Sequence, residues 1–185
     1  MKKTAISALF AASALVSAPA LAQASGTVDI SGTVAAKCAA ITPITGNITL
    51  GELAKNDGTV DPSFSGNNGG LTRNFTVRCN GANPQVSVNA RPLVNAAAQN
   101  SQSGYTNTVH YTASVTARTA KGNSTLIEDQ SLSTGATVGS LGDRIASTSD
   151  NISLRIGSGQ TTDSVALLEA GTYQGSVEIT VAPAA

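Results

Sequence analysis

Period-two alternation of apolar and polar residues, repeated in five separate segments, is the feature that most restricts how this chain can fold. Val109, Tyr111, Ala113, Val115 and Ala117 alternate with His110, Thr112, Ser114, Thr116 and Arg118. Phe75, Val77 and Cys79 share one face against Asn74, Thr76 and Arg78, and Val86, Val88 and Ala90 alternate with Ser87, Asn89 and Arg91. Ile152, Leu154 and Ile156 alternate with Ser153 and Arg155, and Tyr173, Gly175, Val177, Ile179 and Val181 with Thr172, Gln174, Ser176, Glu178 and Thr180. A strand turns successive side chains to opposite faces, so each segment predicts a strand with one face on a core. With Ile48-Thr49-Leu50 and the stretch from Gly26 to Val34, at least seven strands are expected, and the predicted fold is an all-β sandwich.

Turn residues divide the strands. Asn56 to Gly70 and Asn95 to Gly104 read as loops, and Lys121-Gly122-Asn123 as a hairpin turn. Asp163 to Ala170 is expected to form one or two helical turns, stopped by Gly171. No long amphipathic helix, repeat or domain linker stands out, so one domain is predicted.

The start of the chain is built for export. Lys2 and Lys3 precede an apolar run from Ala5 to Val16, and Ala20-Leu21-Ala22 offers a small-residue cleavage site. Residues 1–22 are therefore read as a signal peptide, with Ala18-Pro19-Ala20 as a second cleavage option. No later stretch is apolar for the roughly 20 residues that a bilayer crossing needs. Removing 22 of the 185 residues leaves 163, enough for one domain with a core. It also removes two of eleven basic residues against eleven acidic ones, for a net charge of −2. No basic patch calls for a nucleic-acid partner. In an oxidising compartment the two cysteines, Cys38 and Cys79, are expected to form one disulfide. It would close a loop of about 40 residues, worth about 4 kcal/mol in the chain-entropy model.

Catalytic chemistry is scarce. His110 is the single histidine, and the alternation puts it on a polar strand face. Glu128-Asp129 read as a solvated loop between strands, and Asp57 and Asp61 lie in a Gly/Asn-rich loop without the spacing of a calcium loop. No nucleophile elbow, phosphate-cradling loop or zinc spacing is present. With no Trp, three Tyr and three Phe, stacking platforms for sugars or bases are poor. No enzyme activity, cofactor or metal is predicted.

The two ends carry a further pattern. The segment Ala170 to Val181 is the strongest strand signal, and only Ala182-Pro183-Ala184-Ala185 follow it. An immunoglobulin-like sandwich places a last strand beside such a segment. The chain resembles subunits of chaperone–usher pili, including the spore-coat-U-like branch. The resemblance rests on the Gly-Thr-Val opening at Gly26, Cys38 at the end of the first strand and the segment Asn47-Ile48-Thr49-Leu50-Gly51-Glu52-Leu53. It continues with the second cysteine in Phe75-Thr76-Val77-Arg78-Cys79 and a closing Gly-Thr-Tyr strand.

The resemblance implies a sandwich lacking its final strand (residues 34–185), preceded by an N-terminal donor extension (residues 23–33). It further implies a fimbrial subunit, exported through the periplasm to the cell surface for adhesion or biofilm. A periplasmic chaperone and an outer-membrane usher are its implied partners, together with neighbouring copies of the chain. In donor-strand exchange the extension of one subunit fills the groove of another. Ala24, Gly26, Val28 and Ile30 lie on one face of the extension and are the implied donor residues, with Val177, Ile179 and Val181 lining the acceptor groove. Two alternatives stand beside this. Gly26 to Val34 can be the first strand of a self-contained sandwich, and the protein a free-standing secreted domain that binds a surface ligand or matrix component.

Overall fold

The alternating segments become strands in the computed structural model, which describes residues 29–98 and 102–184. In chain order they are β1 (Cys38–Ala40), β2 (Thr72–Phe75), β3 (Val77–Cys79), β4 (Gln85–Val94), β5 (Tyr105–Thr106) and β6 (Thr108–Arg118). There follow β7 (Ser124–Gln130), β8 (Thr137–Ser140), β9 (Ile152–Gln160), β10 (Leu167–Leu168) and β11 (Gln174–Ala182). No helix occurs among the described residues. Residues from Ala35 onward form one compact body.

Seven strands make a branched sheet in the order β11-β4-β6-β9-β2, with β7 added to β6 and β8 to β4. All of these pairings are antiparallel. Two layers can be traced: β7-β6-β9-β2, and β8-β4-β11. They join where Leu93 and Val94 of β4 meet Val109 and Thr108 of β6. The inward residues of both layers form a single apolar cluster, a sandwich-like core. In β6 the inward side chains Val109, Tyr111, Ala113, Val115 and Ala117 are all buried, as the alternation predicts. Each fully buried valine contributes about 2 kcal/mol of apolar transfer. The turn at Lys121-Gly122-Asn123 joins β6 to β7 in a hairpin, as expected.

Cys38 and Cys79 are disulfide-bonded, and they also face each other in the short β1–β3 ladder, with Cα atoms 4.1 Å apart. The expected strand across residues 74–79 is broken at Thr76, dividing β2 from β3. Asn151 compensates for the break. Its side chain is fully buried; Oδ1 accepts from the Val77 N–H (2.9 Å), while Nδ2 donates to the Val77 and Ala146 carbonyls (2.7 Å each). Replacing Asn151 with alanine strands a buried donor and acceptor on Val77, at a cost of about 2 kcal/mol. Chemical denaturation should show this as a lower midpoint with an unchanged slope.

Three expectations are corrected. Glu128 and Asp129 lie in β7 rather than in a loop. Asp129 is buried, accepting from the Ala90 N–H and from Thr137 Oγ1 (2.7 Å each). The helical turns expected over Asp163 to Ala170 are replaced by a turn and β10, because Leu167 and Leu168 pair in parallel with Tyr105 and Thr106 of β5. Ile48-Thr49-Leu50 belongs to no ladder, although Ile48 and Leu50 pack against the core.

Candidate functional site

β11 stands at one end of the strand order and, among the described residues, pairs only with β4. Its pairing slips at Gly175, where Gln174 faces Val94 but Ser176 faces Arg91. The inward residues Val177, Ile179 and Val181 are only half-buried, unlike their counterparts in β4, β6 and β9. They pack on the core yet stay partly open because a groove of about 1280 Å³ runs beside the strand.

Tyr173 to Val177 and Ile179 form one wall of this groove, and residues 44–54 the other. The floor is core itself: Phe75, Leu93, Tyr111, Leu154 and Ile156. Leu168 to Thr172 close one end. Val177 and Ile179 line this groove, while Val181 packs on the core outside its lining. Phe75, Tyr111, Leu154 and Ile156 were legible as inward strand residues but not as site, and Leu93 as neither, since alternation does not say which buried side chains an opening will reach.

Two phenols are used as internal struts. Tyr111 donates from its hydroxyl to the Ser176 carbonyl (2.9 Å), tying the floor to β11. Burial, with the Asp129 carboxylate nearby, pushes its pKa up to about 12, so it stays a donor at any ordinary pH. The Tyr173 hydroxyl lies 2.9 Å from the Glu169 carbonyl and 3.1 Å from that of Thr106, and burial followed by the Glu169 charge raises its pKa.

Of the implied donor residues, Ala24, Gly26 and Val28 lie outside the described residues, as does the 1–22 segment. Ile30 is 93% exposed and Val34 87% exposed, and residues 29–34 belong to no sheet. The nearby root of the extension is fixed. Asn80 donates from Nδ2 to the Ala35 carbonyl (2.9 Å) and accepts at Oδ1 from the Lys37 N–H (2.6 Å). A side chain added at Gly81 would touch both Ala36 and Pro183, so this root lies beside the end of β11.

The polar candidates serve the fold. His110 is half-buried on β6, with Nδ1 3.2 Å from the Ser131 carbonyl. Asp57 accepts from the Thr59 hydroxyl and N–H (2.7 and 3.0 Å). Asp61 accepts from the hydroxyls and N–H groups of both Ser65 and Ser63. Among the described residues no group of three His, Cys, Asp or Glu side chains is gathered for a metal. The Ser65 and Ser63 hydroxyls, then their N–H groups, hold the Asp61 carboxyl well below its usual range, and Thr59 lowers Asp57 in the same way. A depressed folded pKa gives stability that is complete above the unfolded value and lost as pH falls through the folded one. The stability gap between the natural chain and Asp61→Asn should therefore be largest above about pH 4 and shrink on further acidification. Denaturation midpoints across pH 2–7 check this.

No family model, curated protein sequence or solved structure matches this chain.

Proposed function

We propose that this chain is a pilin-like structural subunit, an immunoglobulin-like sandwich short of its final strand that polymerises by donor-strand exchange. Residues 23–33 of one copy lie in the groove of the next, with the donor face formed by Ala24, Gly26, Val28 and Ile30. A periplasmic chaperone occupies the groove first, and an outer-membrane usher releases the fibre to the cell surface for adhesion or biofilm.

The observation that carries this reading is the groove: an opening floored by core side chains beside an edge of β11 that is unpaired among the described residues. Such an edge templates another strand, and leaving it bare invites uncontrolled aggregation. The occupant has matching chemistry, with apolar or small residues at alternate positions and Ile30 and Val34 exposed to solvent. The root of the extension also lies at the end of β11. An extension folded back from there into its own groove would run parallel to β11, whereas a second copy can bring it antiparallel, the slightly more stable pairing. The disulfide fits an oxidising compartment such as the periplasm.

The test is assembly of the purified mature chain. It is expected to form a ladder of multimers that survives mild detergent and collapses on boiling, and a synthetic peptide of residues 23–34 should inhibit it. A stable monomer that ignores the peptide would identify a free-standing secreted domain instead.

A further inference from the structure

Residues 43–50, the wall opposite β11, belong to no ladder among the described residues. Ile44, Ile48 and Leu50 are half-buried and turned to the core, while the other residues of the segment are exposed. The segment is pinned at both ends. The Ile41 N–H donates to the Thr76 carbonyl (2.8 Å), and Thr42 Oγ1 accepts from the Thr76 N–H (2.7 Å). Beyond it, the Leu53 carbonyl accepts from the Asp61 N–H (2.7 Å).

Between those pins, one side chain alone bonds the main chain of 43–50 among the described residues. Arg73 donates from Nε and Nη2 to the Asn47 carbonyl (3.0 and 2.6 Å). Its Nη1 lies within 3.3, 3.4 and 2.8 Å of the Gly69, Gly70 and Thr72 carbonyls. The planar guanidinium thus spans the wall and the adjoining turn, a reach that one ammonium point charge lacks.

Building on the acceptor reading above, we infer that Arg73 is the positioning residue of the groove. It holds Asn47 so that 43–50 presents its unpaired main chain as a second rim, and an inserted strand bonds to β11 on one side and to 43–50 on the other. Ordering the rim before insertion lowers the entropy lost on binding.

The acceptor for the test is the full mature chain with Ile30→Asp in its own extension, and the probe is a natural 23–34 peptide. Amide hydrogen exchange should show the peptide protecting both 174–181 and 45–50. With Arg73→Gln, and equally with Arg73→Lys, protection at 174–181 is expected to persist while that at 45–50 is lost. The peptide should then leave about tenfold faster, equivalent to about 1.4 kcal/mol. Asn47→Ala should change nothing, because the bond is to its main-chain oxygen. Arg73→Lys also serves if Arg73→Gln does not fold. Unaltered protection and release in both Arg73 variants, or full rescue by lysine, would overturn the inference. An acceptor with Arg73 intact that binds no peptide would instead refute the acceptor reading itself.

Discussion

Aspartate at Val28 or Ile30 is expected to abolish assembly of the mature chain into multimers while leaving its body folded and able to bind a chaperone. Inserting these two side chains into an apolar groove contributes roughly 3–6 kcal/mol. Aspartate removes half of that and adds a carboxylate that has to be desolvated without a partner, at several kcal/mol more. The body gives no reason for collateral damage, since Ile30 is 93% exposed. Detergent-resistant ladders and electron microscopy read the outcome, with thermal melting as the control for folding. Normal fibres from both variants would remove donor-strand exchange as the function.

Gly51→Ala should be the most damaging small change in the body. Gly51 has φ +71°, a region that favours glycine, and a Cβ placed there would lie 1.8 Å from the Gly66 carbonyl oxygen. The backbone of 51 and 66 therefore cross in contact, which fixes the end of the groove wall. The obstacle is main chain rather than a movable side chain, so both strain and overlap apply, together about 4 kcal/mol. Loss of folded protein, or a fall of that size in denaturation experiments, would show it. Thr49→Ala, at an exposed neighbour, should stay within about 0.5 kcal/mol. A Gly51→Ala protein as stable as the natural chain would mean that these segments do not touch.

The strands with clean alternation were legible because each buries one continuous face; β6 and β9 follow their patterns residue by residue. β7 was not, because its inward positions are Thr125, Ile127 and Asp129, and a buried aspartate looks like a surface residue until Ala90 and Thr137 are seen to satisfy it. Phe64 is a similar case. It is fully buried yet sits in a turn-rich loop with φ +49°, where no periodicity marks it. It is accommodated because Gly159 has no side chain: a Cβ there would lie 2.7 Å from the ring. The helical turns expected near Leu167 lost to a two-residue pairing with β5, a partner about 60 residues away that local propensity cannot see. Beside the groove, Val177 and Ile179 were readable as one face of β11. The facing wall was not, since its segment forms no ladder among the described residues.

The cystine has a mechanical consequence. In the fibre proposed above, linked through residues 23–33, a pull on one subunit would enter its neighbour near Ala35 and reach Cys38 within three residues. β1 is only three residues long and would peel away one hydrogen bond at a time. The Cys38–Cys79 bond instead carries the tension covalently into β3, whose Val77 is gripped from behind by Asn151. Traction in that proposed fibre would then fall on the interior of the body rather than on its leading edge, and its subunits would resist unravelling from that end.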